Sequence, residues 1–394
     1  MSLPTLRLSG PPYVIGWQHG QQVADRRDRV AAVIAARLAE LSRLEADQPG
    51  QLQPAVEALE AMDAPLLEQL RGLAEGLEVD YEDLLRYTLS SYLKDRQRAQ
   101  SLDAQQAAAR EGCTTWAATA PVAKAGLTLL VKNRDYLLDH ILLQVVAHVQ
   151  PAGGYGYTCI GSAGSPAVFS SGINEQGLAV ADTHVLSRDL GPGVPRVSLM
   201  REILERHATT ASALVYLRSV QHMGGGTLLL ADRAGHLALC ESGHRESGFA
   251  EALDGALASA NHFVTEQLAM QWIEDEPELL VGNSAARRER VLAELAGSVG
   301  QVDEAWAQAL MAAHGSPLDA ICRHALVLDG LSPGPALDTS TISAAVFLPN
   351  GRAERERPAL LLAAGQPCEA EWVEIEVAQA RRPFGFPSSN QRLC

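Results

Sequence analysis

Two adjacent residues, Gly112 and Cys113 in the stretch Arg110-Glu111-Gly112-Cys113-Thr114-Thr115-Trp116, offer the most specific chemistry in this sequence. A thiol can add to the carbonyl carbon of the residue before it. The amide bond then breaks, the acyl group passes to sulfur as a thioester, and water releases it, so the chain is cut between Gly112 and Cys113. Glycine suits the position before such a bond, because without a Cβ it tolerates strained backbone and close approach. The product begins with cysteine, which then holds both nucleophile and base: a free α-amine, with a reference pKa of about 7.7–8.0, accepts the thiol proton near neutral pH. A small buried hydrophobe is the alternative for any cysteine in such a context.

Other chemistry-bearing patterns are thinner. The remaining cysteines, at 159, 240, 322, 368 and 394, are scattered, with no CxxC pair and no zinc-finger spacing, so neither a metal site nor a cofactor is expected and core packing is the default for each. No G-x-S-x-G, P-loop, H-E-x-x-H or G-x-G-x-x-G motif occurs. Gly224-Gly225-Gly226 follows a helical stretch and precedes a strand, the reverse of a phosphate-binding order, and reads as a turn. Cys322-Arg323-His324 offers a second Cys/His dyad.

The bond before Cys113 falls where the texture of the chain changes. Up to about residue 100, Val23, Val30, Ile34, Leu38 and Leu41 recur at helical steps; a second run passes through Val56, Leu59, Met62, Leu66, Leu70 and Leu73 to a stop at Gly76; and a third begins near Asp80. Strand signals are nearly absent there. The stretch from Lys94 to Arg110 loses the periodicity and reads as an exposed connector. After Gly112, β-rich runs appear at 127–133, 143–149, 177–182, 342–348, 358–363 and 371–377, with helical stretches at 198–219 and 284–313. TLLLA and HLALC bracket Asp232-Arg233-Ala234-Gly235 and predict a hairpin, and Asn350-Gly351 marks another. Strands joined as hairpins predict antiparallel sheets with helices packed outside, an α+β fold.

A series of motifs runs in order along nearly the whole chain: SGPPYVIGWQHG at 9–20, LRGLAEGL at 70–77, GCTT at 112–115, KNRD at 132–135, GINEQGL at 172–178, ANHF at 260–263, ICRH at 321–324 and AAGQPC at 363–368. Through them the sequence resembles the acyl-coenzyme A:6-aminopenicillanic acid acyltransferase (isopenicillin N acyltransferase) family of self-processing N-terminal nucleophile (Ntn) hydrolases. The resemblance implies a four-layer αββα sandwich, two antiparallel sheets between helical layers. It implies a precursor that cuts itself into a helical N-terminal segment, residues 1–112, and a catalytic part, residues 113–394, headed by Cys113, with both pieces held in one fold. It also implies that the Asn261 side-chain amide donates to the oxyanion of a tetrahedral intermediate, and that Asp135 holds the new amine or orients the precursor. A turn asparagine and a strand-end aspartate are the alternatives. Asn133 and Arg323 are candidates for supporting roles, with a turn residue as the alternative for Asn133, and Asn174 and Glu175 read as a turn between strands. Trp17, Trp116 and Tyr136 are candidates to line the pocket.

Three departures from the family prototype bear on the substrate. The stretch Leu337-Asp338-Thr339-Ser340-Thr341-Ile342 lacks the prototype's arginine, which argues against a fungal penicillin substrate. Ala181-Asp182-Thr183-His184 stands where the prototype has an asparagine, which makes Thr183 or His184 pocket candidates. Arg134 replaces an aromatic and could reach a substrate carboxylate, a solvated arginine being the alternative.

Composition bounds the partners. With 32 Lys+Arg against 47 Asp+Glu in 394 residues, the net charge of −15 disfavours nucleic acid. No apolar run approaches the roughly 18 residues of a membrane span, and MSLPTLRLSG has no basic-then-apolar pattern, so a cytoplasmic protein without a membrane partner is expected. The expected activity is that of an autoproteolytic cysteine Ntn hydrolase, which cleaves or transfers the acyl group of a linear, non-peptide amide of a small acylated amine or amino acid. Two alternatives stay open. One is an N-acyltransferase or cyclase fed by acyl-coenzyme A or a carrier thioester, with Arg287, Arg288 and Arg290 at the start of a predicted helix as its basic patch, a solvated basic helix face being the alternative reading of that cluster; the other is an uncleaved binding or scaffold protein. A higher oligomer is left open.

Overall fold

The computed structural model describes residues 3–45, 50, 52–100, 112–166, 168–274, 280–324, 339–352 and 357–379. Strand β1 (Thr5–Gly10) is followed by helices α1 (Pro12–Gln22), α2 (Arg27–Glu45), α3 (Leu52–Met62), α4 (Ala64–Leu77), α5 (Tyr81–Thr88) and α6 (Ser90–Gln100). Then come strands β2 (Thr114–Ala118), β3 (Leu129–Leu137), β4 (Gln144–Pro151), β5 (Tyr157–Ser162), β6 (Ser171–Asn174) and β7 (Ala179–His184), and helices α7 (Arg196–Arg206) and α8 (Thr210–Ser219). Strands β8 (Gly226–Ala231), β9 (Leu237–Ser242), β10 (Gly248–Ala252) and β11 (Ala256–Ser259) lead to helices α9 (Asn283–Gly297) and α10 (Glu304–Met311). Strands β12 (Thr339–Leu348), β13 (Ala359–Ala363) and β14 (Trp372–Ile375) complete the order.

Among the described residues the strands form an eight-stranded sheet, β1-β4-β5-β6-β7-β8-β9-β10, and a six-stranded sheet, β11-β2-β3-β12-β13-β14. The β1–β4 pair is parallel and the other neighbours are antiparallel. Side-chain alternation sorts the apolar residues into three layers. Ala117, Leu130, Ile160, Ile173, Leu229 and Phe347 fill the space between the sheets. On the outer face of the larger sheet Leu6, Val145, Val180 and Leu228 meet the N-terminal helices and α7–α8. On the outer face of the smaller sheet Trp116, Val131 and Leu361 meet Val291 and Leu295 of α9 and Leu310 and Met311 of α10. The result is a four-layer αββα sandwich, as the family resemblance implies. Among the described residues, no helix is long and apolar enough to cross a membrane.

Three local expectations are corrected. The N-terminal segment is not all helix, because Leu6 and Leu8 alternate with exposed neighbours in β1, a pattern of two apolar residues that is too short to stand out. The stretch read as a connector is helical through Gln100: Tyr92, Leu93 and Asp95 are buried in α6, and the Asp95 Oδ2–His184 Nε2 contact of 2.6 Å explains a buried charge that interrupts the apolar period. Residues 101–111, with Arg110 and Glu111, lie outside the described residues. The predicted helical stretch at 198–219 is two helices parted at His207.

The motifs at 9–20 and 70–77 have a packing reason. Helices α1 and α4 touch backbone to backbone: a Cβ on Gly16 would meet Leu73 N at 2.8 Å, and one on Gly72 would meet Trp17 N at 2.9 Å. Asp63, at the head of α4, forms a buried 2.6 Å ion pair with Arg201 of α7.

Candidate active site

Cys113 precedes β2, and β2 pairs with β3 in a register that sets Thr114 opposite Asn133. The same antiparallel step brings Gly112 level with Asp135. The Cys113 sulfur is buried, 3.9 Å from the Asp135 carbonyl oxygen, and borders a cleft where the two sheets and helices α5–α6 meet. Asp135 Oδ1 accepts a 2.7 Å hydrogen bond from Thr341 Oγ1. Its Oδ2 is 3.8 Å from Arg323 Nη1 and has no hydrogen bond among the described residues. Burial pushes the Asp135 carboxyl up, with Arg323 and Arg287 pulling against it. A Cβ on Gly112 would fall on the Arg323 guanidinium and lie 3.2 Å from Asp135 Oδ2, so the residue before the predicted cut is hemmed in by both.

Arg323 is locked in place by its backbone. Its N–H donates to Thr341 Oγ1 and its carbonyl accepts from Thr341 N, both at 2.9 Å. Asn133, fully buried, donates from Nδ2 to the carbonyls of Met311 and Ile321, each at 2.9 Å, and so pins the segment that carries Arg323 without touching the cleft.

Asn261 follows β11. Its N–H donates to Ser284 Oγ at 2.7 Å, and its Nδ2 donates to the His184 carbonyl at 2.9 Å. Its Oδ1 accepts from Arg287 Nη2 at 2.7 Å. Arg287 also donates from Nη1 to the Cys113 carbonyl and to Thr114 Oγ1, both at 2.8 Å, and from Nε to Asn283 Oδ1 at 3.0 Å. One guanidinium therefore couples Cys113 to Asn261. Because Arg287 has only donors, it fixes which end of the Asn261 amide is oxygen and which is nitrogen. The reading of Arg287 as part of a solvated basic face is overturned, since the residue is 1% exposed. Periodicity shows that α9 has an inner face; it does not show that an arginine lies on it. Arg288 Nε donates to the Ala258 carbonyl and Arg290 Nη1 to the Asp319 carbonyl, each at 3.0 Å.

The cleft is more polar than the sequence suggests. Lys132 Nζ lies 2.6 Å from Asp182 Oδ1, and Arg196 Nε lies 3.3 Å from Asp182 Oδ2. Burial alone would raise the Asp182 carboxyl, but Lys132 and Arg196 outweigh it and hold it below its ordinary range. Arg134 is not solvated: it donates to Ser162 Oγ at 2.9 Å and to the Gly161 carbonyl at 3.2 Å, with Phe169 and Tyr136 rings at 5.2 and 5.5 Å. Arg134 and Tyr136 both line the cleft.

Other candidates fall elsewhere. Asp182 lines the cleft in place of Thr183, which meets Ser259 Oγ at 3.0 Å, and of His184, whose ring is held by Asp95. Trp116 is fully buried in the outer layer, with Nε1 3.2 Å from Met311 Sδ, because strand alternation turns it away from the cleft. Trp17 is 40% exposed on α1. Asn174 is a turn residue: Oδ1 accepts from Gln176 N and Leu178 N, and Nδ2 holds the Leu204 and His207 carbonyls. Glu175 accepts from Gly156 N at 3.3 Å in the same turn. Leu337 and Asp338 lie outside the described residues. The sequence reading places Arg287 on a basic helix face and passes over Lys132, Asp182 and Arg196; of these, Lys132 and Asp182 stand inside stretches it singles out.

Comparison with known proteins places the chain. No curated protein matches it in sequence. The solved structures it is similar to include two variants of the conjugated bile acid hydrolase from Clostridium perfringens. One is 12% identical over 68% of this chain and 98% of that one, with a TM-score of 0.44; the other is 13% identical over 71% and 100%, with a TM-score of 0.45. The penicillin V acylase from Agrobacterium tumefaciens is 12% identical over 68% and 99%, with a TM-score of 0.34. The family model for acyl-coenzyme A:6-aminopenicillanic acid acyl-transferase matches residues 122–323, just over half of the chain, a span that holds Asp135, Asn261, Arg287 and Arg323 and starts after Cys113. With a match of that length, the chain belongs to the acyl-coenzyme A:6-aminopenicillanic acid acyl-transferase family.

Proposed function

We propose that the chain cuts itself between Gly112 and Cys113 and then cleaves or transfers the acyl group of a linear, non-peptide amide of a small acylated amine or amino acid. The observation that carries this reading is the convergence on one bond. Asp135 Oδ2 and Arg323 crowd Gly112, and Arg287 ties the Cys113 carbonyl to Asn261.

In maturation, Cys113 Sγ adds to the Gly112 carbonyl carbon. The tetrahedral intermediate expels the Cys113 nitrogen, which takes up a proton, and water then hydrolyses the thioester to leave a Gly112 carboxylate. In turnover, the free Cys113 amine takes the thiol proton and sulfur adds to the substrate's acyl carbon. The second Asn261 Nδ2 hydrogen donates to the oxyanion, a contribution whose loss typically costs roughly 10²–10³ in rate. The substrate amine leaves with the proton. Water, or an amine in a transfer reaction, takes the acyl group from sulfur and restores the thiol. Asp135 Oδ2, which has no hydrogen bond among the described residues, supplies a counter-charge for the new ammonium group. The ionic lining formed by Lys132, Asp182 and Arg196 favours a substrate with a polar end over a purely apolar one. A cytoplasmic setting, where thiols stay reduced, suits this chemistry.

Denaturing mass spectrometry of the freshly purified wild type beside Cys113→Ala tests the proposal. The expected result is two wild-type fragments, residues 1–112 and 113–394, and an intact variant. A wild type that stays intact would overturn the reading in favour of an uncleaved binding protein.

A further inference from the structure

A second set of reactive side chains lies outside the cleft. His314 follows α10, Cys322 and His324 lie on the segment leading towards β12, and Cys368 lies between β13 and β14. Their nitrogen and sulfur atoms all fall within 4.8 Å of one another. The sulfurs of Cys322 and Cys368 are 3.5 Å apart, and His324 Nε2 is 3.7 Å from the first and 3.2 Å from the second. The rings of His314 and His324 meet edge to face with centroids 5.0 Å apart.

The spacings among Cys322, His324 and Cys368 approach the edges of a coordination tetrahedron, with His314 close enough to complete it. With Zn–S of about 2.3 Å and Zn–N of about 2.0–2.1 Å, tetrahedral geometry sets sulfur–sulfur edges at about 3.8 Å and sulfur–nitrogen edges at about 3.6 Å. Two sulfurs and two imidazoles in that arrangement suit zinc(II) better than the hard, oxygen-seeking cations. We propose that His314, Cys322, His324 and Cys368 form a closed, four-coordinate zinc(II) site. On binding, the two thiols lose their protons to solvent and the two thiolates neutralise the ion's charge, while the imidazoles bind as neutral ligands. Four protein ligands leave no open position, so the ion is structural and not catalytic. Cys322 is buried whereas His314 and Cys368 are exposed, which gives the ion a path in from solvent. No spacing rule signals this set, because Cys368 joins it from a second loop, far along the chain from His314, Cys322 and His324 on the segment after α10; the sequence-based expectation of no metal site therefore had nothing to detect.

The site also has a place in the architecture. Cys322 and His324 flank Arg323, the residue that crowds Gly112 and faces Asp135. An ion that holds both flanking side chains would fix the stem of Arg323 from one side, as Asn133 and Thr341 do from the other.

The test is metal content, which is independent of the proposed self-cleavage. Full-length, untagged protein is purified in reductant without chelator, and its zinc is measured by mass spectrometry of the element. The same protein is then stripped and reloaded with cobalt(II). The expected results are one zinc per chain in both wild type and Cys113→Ala, with tetrahedral cobalt(II) bands and thiolate charge-transfer absorption. Cys368→Ser, a change at an exposed position, should contain no zinc as purified and, reloaded with excess cobalt(II), show at most about half of the wild-type charge-transfer intensity. Zinc no higher than in a Cys322→Ser/Cys368→Ser double variant, even after incubation with excess zinc, would overturn the proposal. So would a Cys322–Cys368 disulfide in protein isolated without reductant, or loss of zinc in Cys113→Ala.

Discussion

Cys113 and Cys322 both lie beside the Asp135–Arg323 pair, the first against the Asp135 carbonyl and the second next to Arg323 in the chain, and their surroundings suit them to different work. Around Cys113 the neighbours are the Asp135 carbonyl, the Arg287 guanidinium bound to the Cys113 carbonyl, and the cleft that the residue helps to line. Around Cys322 they are another sulfur and two imidazoles, a set that competes for a metal ion. Cys159 and Cys240 show a third environment, the apolar outer layer of the large sheet, where burial pushes the Cys159 thiol up to about 12 and the Cys240 thiol higher still. One residue type thus serves as proposed nucleophile, proposed ligand or packing unit according to its neighbours.

The sharpest way to break the contrast is Cys113→Ala, which should abolish both cleavage and turnover, a loss beyond about 10³-fold, while the spectrum of a cobalt-loaded sample stays that of wild type. Next in size, Asn261→Ala should lower kcat by about 10²–10³-fold. Arg287→Met should match that loss and also lower stability by about 3–5 kcal/mol, read from urea unfolding, because buried acceptors on Cys113, Thr114, Asn261 and Asn283 lose their donor. Wild-type kinetics in Arg287→Met would mean that the guanidinium bridge does not position Asn261. A smaller effect is expected for Gly112→Ala: cleavage slowed at least about tenfold in a gel time course, as the new methyl displaces Arg323, with near-normal kcat once the chain is cut. Smallest of all, chelation should lower the Tm of wild type by a few degrees and leave that of Cys368→Ser unchanged. Equal shifts in the two would remove the distinction between the cysteine sites.

The layered fold was largely legible because hairpin strands alternate apolar and polar residues and carry their own turn signals. In the Asp232–Gly235 turn, Asp232 Oδ1 accepts from the N–H groups of Ala234 and His236, and Gly235 takes a φ of +86°. What escaped was whatever depends on a partner distant in sequence. Strand β1 exists because β4 offers it an edge, and Asp95 is tolerated in a helix because His184 meets it. At the site, motifs point to Cys113, Asp135 and Asn261, but the arginine that bridges two of them lies in a stretch whose charge reads as solvated. Trp116 was misjudged for a related reason: its apolar character is plain, but which side of β2 it occupies depends on the register with β3.

The pairing of β1 with β4, the buried Asp63–Arg201 ion pair and the apolar layer shared by the N-terminal helices and the large sheet all join chain before residue 112 to chain after it. If the bond at Gly112 is cut, none of these contacts is lost in the native state, but the molecularity of refolding changes. The uncut Cys113→Ala chain returns from urea by a first-order process, whereas the two wild-type pieces have to find each other. Their unfolding midpoint should rise with protein concentration, and dilution after denaturation should leave them apart.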